Sequence, residues 1–323
     1  MISRIIEKPL KYDKSFFLIG PRGTGKTYWI KKSLPDSVYI DLLDTGVYTQ
    51  FLAAPSRITE KIPPNYQGWI IIDEVQRVPE LLNEAHRLIE NHGYKFVLTG
   101  SSARALRKKG VNLLSGRALL YHMYPLTVQE LGEQFDLKKS LQFGHLPAVF
   151  TEPDPKAYLK TYVHTYLREE VLQEGLTRNL SAFTRFLEIA SFSQGCTLNM
   201  SAIARDTGVS QKAITGYFDI LDDLLLGYRL PVFNKRAKRQ TVNHPKFYYF
   251  DVGIYQVIRP RGLIDTVEEI EGSALETLFL QELRAINDYY DLEYQLYYWR
   301  TKTGLEVDFI IYGPHGLYAF EIK

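Results

Sequence analysis

The octapeptide GPRGTGKT, residues 20–27, directly follows the apolar run Phe16, Phe17, Leu18 and Ile19. No other junction in the chain constrains its fold as strongly. It fits G-x-x-x-x-G-K-[ST], a strand-to-helix turn whose backbone N–H groups and helix N-terminus cradle a triphosphate. Gly20, Gly23 and Gly25 can take positive φ and let the backbone approach the phosphates, where a Cβ would obstruct them. The binding turn comprises Gly20, Pro21, Arg22, Gly23, Thr24, Gly25, Lys26 and Thr27. In this pattern Lys26 reaches the β and γ phosphates, and Thr27 offers its hydroxyl to Mg²⁺. The expectation is a nucleotide-binding chain.

Downstream residues supply a sheet around that turn. SVYIDLLD (37–44), WIIIDE (69–74), KFVLTGSS (95–102) and ALLYHMY (118–124) read as strands. Leu81, Leu82, Ala85, Leu88 and Ile89 recur at helical spacing between the second and third of them. Strands alternating with helices predict a parallel sheet covered on both faces, with ligands at the carboxyl ends of the strands. The Asp73-Glu74 pair and the Thr99 to Ser102 cluster then share an edge with the glycine-rich turn. Asp73 is suited to hold Mg²⁺ directly or through water, and Glu74 to polarise an attacking water. Alone, such a pair could be a solvated strand end. At 47 residues beyond Lys26 it gains weight.

Bulk properties exclude several classes. A chain of 323 residues suggests two or three domains. Its 39 Lys and Arg nearly balance 37 Asp and Glu, so any nucleic-acid binding must come from local patches. The single cysteine, Cys196, cannot form an internal disulfide framework and suits a reducing compartment. No apolar run approaches the roughly 18 residues of a membrane span, and MISRIIEKPLKYDK lacks a signal-peptide apolar region. A cytoplasmic protein without a membrane partner is expected.

With the TGSS cluster and the later SGRA, the two motifs resemble those of prokaryotic AAA ATPases. The similarity is to the family of ATP-binding proteins that carry a C-terminal nuclease-like domain of unknown function. It covers nearly the whole chain and implies ATP rather than GTP, with Mg²⁺, ADP as product and oligomers formed through the AAA domain. It also implies a first sensor for the γ-phosphate among Thr99, Ser101 and Ser102, with Ser101 favoured. Arg117 resembles a γ-phosphate-sensing arginine or a finger acting across a subunit interface; Arg104 competes for that role, and a surface salt bridge is the plain alternative. FGHLPAVF (143–150) is similar to the family's glycine-and-proline turn, with His145 standing where a second glycine is usual.

Beyond that turn, Leu159, Val163 and Leu167 with Tyr158, Tyr162 and Tyr166 predict an amphipathic helix from Lys156 to Leu172. MSAIARDTGVSQKAITGYFDILDDLLL (200–226) reads as helix, turn and helix, with Gly208 in the turn and Ser210 as a cap. LLLGYRLPVF and KFYYF then flank NKRAKRQTVNHP, giving a winged helix with a basic wing. Lys212 is exposed on the second helix, and Lys235, Arg236, Lys238 and Arg239 are candidate phosphate ligands on double-stranded DNA. Four such contacts correspond to a log–log salt slope of about −3.6. A protein contact or a merely solvated charge run remains open for the same segment.

The last stretch carries a second set of polar residues. A helix from Ser273 to about Ile286 bears Glu276, and strands LEYQLYYWR, LEVDFIIY and LYAFEIK follow. Glu321 and Lys323, two apart, are expected on one face of the last strand with Asp308 on its neighbour. The layout resembles the core of the restriction-endonuclease-like fold. That resemblance implies Asp308 and Glu321 as metal ligands, Lys323 as the water-activating or charge-stabilising group and Glu276 as an auxiliary carboxylate; an ion pair between Glu321 and Lys323 is the bland alternative. The expected organisation is an AAA-type ATP-binding domain over 1–125 and a helical lid or linker over 126–179. A winged helix-turn-helix follows over 180–259, then a partial, C-terminally truncated nuclease-like α/β domain over 260–323. The expected activity is an ATPase, EC 3.6-type, whose nucleotide state regulates the C-terminal part; a non-enzymatic switch or docking protein with a degenerate nuclease fold is the alternative.

Overall fold

The computed structural model describes residues 2–102, 116–167, 171–172, 179–234, 244–262, 265–301 and 303–323. The chain divides into two compact units, Met1–Tyr124 and Pro125–Lys323.

In the first unit, β1 (Phe16–Ile19), β2 (Val38–Asp41), β3 (Trp69–Asp73), β4 (Lys95–Gly100) and β5 (Leu119–His122) form one sheet in the order β2-β3-β4-β1-β5. Every pairing is parallel. Helices α1 (Lys26–Ser33), α2 (Thr45–Ala53) and α3 (Leu81–His92) alternate with the strands. The four residues of β1, Ile70 to Ile72 of β3 and Phe96 to Leu98 of β4 are all buried. Such unbroken apolar runs suit strands covered on both faces, and the parallel AAA-type sheet is the one expected. Because β4 lies between β1 and β3, the residues after all three strands meet at one edge. Leu81, Leu82, Ala85 and Leu88 form the buried face of α3, which ends at Gly93 in the left-handed region.

Around β2 the local structure differs from the reading of 37–44 as one strand. Pairing with β3 stops at Asp41, and the Asp44 side chain then accepts from Val47 N to start α2. A capping aspartate overrode the apolar pattern, and Gly46 in the first turn had hidden the helix.

The second unit is mainly helical. Its longer helices among the described residues are α4 (Leu137–Phe143), α5 (Pro155–Thr161), α6 (Leu180–Ser191), α7 (Met200–Thr207), α8 (Gln211–Asp223), α9 (Val252–Ile258) and α10 (Val267–Tyr289). The segment from Lys156 is not one regular helix: α5 passes into a π turn over Tyr162–Tyr166. Such a turn inserts one residue into the hydrogen-bond ladder, and Leu159, Tyr162, Val163 and Leu167 are all buried. Gly208, at φ 74°, ends α7, and Ser210 accepts from Ala213 N to start α8. Phe183 and Phe186 of α6 pack edge-on against Tyr217 and Phe218 of α8.

Strands β6 (Gly227–Leu230) and β7 (Lys246–Tyr249) pair antiparallel. A second sheet, ordered β10-β9-β8, contains β8 (Gln295–Arg300), β9 (Glu306–Gly313) and β10 (Gly316–Phe320). β10 ends at Phe320 opposite Phe309, so Glu321 and Lys323 follow the strand instead of lying on it. Lys235, Arg236, Lys238, Arg239 and Arg104 lie outside the described residues. No helix among the described residues is long and apolar enough to cross a membrane.

Candidate functional site

Residues 20–27 bridge β1 and α1, and the loop closes on its own backbone. Lys26 is buried, and its ammonium donates to the carbonyls of Gly20 at 2.7 Å and Pro21 at 3.1 Å. Thr24 Oγ1 donates to Pro21 O at 2.9 Å, while Arg4 holds the loop from outside, donating to Thr24 O at 2.7 Å. Gly23 and Gly25 take φ of 81° and 92°, as the motif requires. Gly20 does not. Its hydrogen is needed for space, because a Cβ would lie 2.3 Å from Met123 O. Arg22 is partly exposed beside the loop.

At the same sheet edge, Asp73 collects three hydroxyls. Thr27 Oγ1 donates to Asp73 Oδ2 at 2.7 Å, Tyr39 OH donates to that same oxygen, and Thr99 Oγ1 donates to Oδ1. Burial, then the neighbouring Asp73, pushes the Tyr39 phenol far up, so it stays a protonated donor. The arrangement brings together the loop threonine, the end of β3 and the end of β4. Tyr39 was missed by sequence reasoning; its only signal was an aromatic residue two before Asp41 on a strand that pairs with β3.

Glu74 follows with φ 59° and ψ 48°, a left-handed conformation that is costly outside glycine and recurs at functional sites. Its N–H donates to Thr99 Oγ1 at 2.9 Å. Its Oε2 accepts from Ser101 Oγ at 3.3 Å and from Gln76 Nε2, and Gln76 Nε2 also donates to Ser101 Oγ at 3.0 Å. Thr99, Ser101 and Ser102 are all buried. Of these, Thr99 touches Asp73 and Ser101 touches Glu74.

The oxygens of Thr27 and Asp73 suit Mg²⁺, a hard cation that takes one or two protein ligands and fills its remaining positions with water and phosphate. Among the described residues no group of three or more His, Cys, Asp or Glu could hold a metal. That donor set therefore fits a metal shared with a nucleotide better than one caged by protein.

Arg117 is not brought to the loop of its own chain. It precedes β5, whose Leu119 pairs with Phe16 at the start of β1, so it stands at the amino edge of the sheet. There it pairs with Glu90 of α3 at the surface. The geometry corrects any γ-phosphate contact by Arg117 within one chain.

A second charged cluster lies in the other unit. Lys246 of β7, 2% exposed, has its ammonium 3.4 Å from Asp308 Oδ1, 3.8 Å from Glu276 Oε2 and in contact with Glu306. Tyr248 OH donates to Glu276 Oε2 at 2.8 Å, and Ile322 N donates to Asp308 Oδ2 at 3.0 Å. Burial works against the Lys246 charge, but Glu276, Glu306 and Asp308 outweigh it and hold its pKa above 10.5. Glu276 is raised above 4.5 by burial, with Lys246 and Tyr248 only partly offsetting it. One ammonium is shared among three carboxylates, and Arg300 brings a second cation within 3.3 Å of Glu306. Glu276 and Asp308 are thus brought together as the sequence suggested, with Lys246 between them. Glu321 and Lys323 are exposed and pair with each other at 3.5 Å. Lys246 was missed, although a lysine opening the apolar run KFYYF was its signal. Lys212 is exposed on α8.

The family model described as an AAA domain matches residues 12–132. Residues 134–262 and 271–323 match two domains of unknown function, DUF8612 and DUF4143. An uncharacterized protein of Mycobacterium tuberculosis is 29% identical over 319 residues, covering 95% of this chain and 69% of its own length. One from Methanocaldococcus jannaschii is 25% identical over 348 residues, covering 98% of this chain and 76% of its own length. Among solved structures, the Aeropyrum pernix ORC2 protein in ADPNP and ADP complexes is similar at 12% identity and a TM-score of 0.42, over 86% of this chain and 93% of that one. With an AAA domain matched at 12–132 and a DUF4143 segment at 271–323, the chain is similar in its parts to prokaryotic AAA-type ATPases.

Proposed function

We propose that the protein binds ATP with Mg²⁺ at residues 20–27 and hydrolyses it, and that its nucleotide state regulates a C-terminal part acting on DNA. The observation that carries the reading is the 2.7 Å hydrogen bond between Thr27 and Asp73, which joins the phosphate loop to the acidic end of β3. Phosphates entering the loop compete for the Lys26 ammonium, now held by the Gly20 and Pro21 carbonyls. Thr27 and Asp73 would hold the metal, which when bound supplies charge neutralisation on the β and γ phosphate oxygens. Glu74 orients the attacking water and takes its proton, and Ser101, bonded to the same carboxylate, is the first sensor. Arg117 acts on the γ-phosphate of a neighbouring copy of the chain in a homo-oligomer. The lone Cys196 suits a cytoplasmic site of action.

For the C-terminal part, the exposed Lys212 and the basic run holding Lys235, Arg236, Lys238 and Arg239 support a winged helix engaging duplex DNA. The convergence of Glu276 and Asp308 supports a nuclease-like core. One observation favours a second reading, a docking protein with a degenerate nuclease fold: Lys246 fills the space between those carboxylates.

Phosphate release with and without duplex DNA tests the proposal. Glu74→Gln is expected to keep ATP binding and lose roughly 10²–10⁴-fold in turnover, the usual range for a general base. Lys26→Ala is expected to lose both. Turnover at the parental rate in Glu74→Gln would remove Glu74 from the reaction, and retention of ATP without any turnover would favour the docking reading.

A further inference from the structure

Gln76 is the polar group at this site that neither the sequence motifs nor the proposed chemistry uses. It lies two residues past Glu74, in the short turn of helix Val75–Arg77. Its Nε2 donates to Glu74 Oε2 and, at 3.0 Å, to Ser101 Oγ. Ser101 Oγ donates to that same Glu74 oxygen at 3.3 Å. Both side-chain donors therefore engage Oε2, and Oε1 of Glu74 accepts no hydrogen bond among the described residues. A carboxylate pinned through one oxygen presents the other in a fixed direction, which is what activation of a single water requires.

Two independent features indicate that the amide is there for this contact. Its own Oε1 is buried and has no hydrogen-bond partner among the described residues, an unfavourable arrangement that folded proteins seldom tolerate without a reason. Turning the amide over would not relieve it, because Oε1 would then face the Glu74 carboxylate. The neighbouring Gly100 is also shaped to admit the amide. A Cβ at Gly100 would come within 2.8 Å of Gln76 Oε1, yet its φ is not in the left-handed region. Gly100 is thus used for its missing side chain rather than its conformational freedom.

We propose that Gln76 is the positioning residue that clamps Glu74 through Oε2 and aims Oε1 at the attacking water, with Gly100 providing the space for the clamp. This rests on the reading of Glu74 as the general base. The full-length chain is assayed for steady-state ATP turnover, and Mg·ADP affinity is measured by titration calorimetry. Gln76→Ala is expected to lower kcat by about 10–100-fold, the scale of an ångström-sized misplacement of a reacting group. KM and Mg·ADP affinity should stay within about threefold, since the amide touches neither the phosphate loop nor Asp73. Gly100→Ala keeps the amide but displaces it, and the same split between kcat and KM is expected. Gln76→Glu keeps the side-chain length but replaces the donor with an acceptor, so the clamp on Oε2 is lost and kcat should fall while KM stays, a split that a merely structural role would not produce.

Parental kcat in Gln76→Ala and Gly100→Ala, or in Gln76→Glu, overturns the proposal. Glu74→Gln is measured alongside to separate the two readings. If it turns over slowly while Gln76→Ala is parental, only the role of Gln76 falls; if it turns over at the parental rate, or the parent does not turn over at all, the general-base reading falls and this one with it.

Discussion

Thr27 Oγ1 and Asp73 Oδ2 lie 2.7 Å apart, so the first turn of α1 and the last residue of β3 share one hydrogen bond across the sheet edge. Tyr39 OH donates to the same oxygen, and Thr99 engages the other. The carboxylate is therefore oriented by three hydroxyls before any ligand arrives, which lowers the cost of assembling the site.

Removing the Thr27 hydroxyl separates its proposed ligand role from its structural one. Thr27→Val should weaken Mg·ADP binding about tenfold or more, or roughly 1.4 kcal/mol, the scale of one hydrogen bond to a charged group. Calorimetric titration with Mg²⁺ and with EDTA checks it. The loss should appear only with Mg²⁺, and Thr27→Ser should restore binding.

Gly20 and Gly93 make a matched pair for the loop. Gly20→Ala drives a methyl to 2.3 Å from the backbone carbonyl oxygen of Met123, which cannot swing aside as a side chain could, and should cost about 1–3 kcal/mol by overpacking. Gly93→Ala meets nothing within 4 Å and pays only for φ 68°, about 1–2 kcal/mol. Urea unfolding compares the two, and nucleotide binding should suffer only in Gly20→Ala.

The buried lysine of the second unit predicts a pH-dependent defect. Lys246→Met leaves Glu276, Glu306 and Asp308 without their shared ammonium and should destabilise by about 3–5 kcal/mol. Glu276 already titrates above 4.5 in the folded protein because of burial. The folded state thus holds that proton more tightly than the unfolded chain, and the favourable contribution is lost as pH rises from about 4.5 through the folded value. Without Lys246 the folded value climbs further, so the deficit relative to the parent should be larger at pH 8 than at pH 5. Urea midpoints at the two pH values measure this; an equal deficit would mean that the cluster is not where the charge is felt.

Salt dependence tests the proposed DNA contact by the basic run. Duplex DNA binding should follow a log–log slope of about −3.6 if Lys235, Arg236, Lys238 and Arg239 each neutralise one phosphate. Replacing all four by alanine should flatten the slope by that amount. Affinity unchanged between 50 and 200 mM salt, on the order of the range where such contacts are lost, would exclude the wing.

How much was legible in advance follows the range of the forces involved. GPRGTGKT, the isoleucines of β3 and the spacing of α3 are local patterns, and backbone geometry turns local patterns directly into a strand, a tight turn and a helix. The parallel sheet and the meeting of Lys26, Thr27, Asp73 and Ser101 at one edge follow from that alternation. The sequence by itself thus determined a phosphate loop on an α/β sheet and the acidic pair that faces it. Tertiary structure alone decided what each side chain bonds. It set Tyr39 and Thr99 on Asp73, Gln76 on Glu74 and Lys246 among three carboxylates, and it carried Arg117 to the opposite edge. Those pairings join residues far apart in the chain, or depend on one left-handed backbone turn at Glu74. No periodicity records them, because burial rewards a buried polar group only for the partner that the folded chain happens to bring within reach.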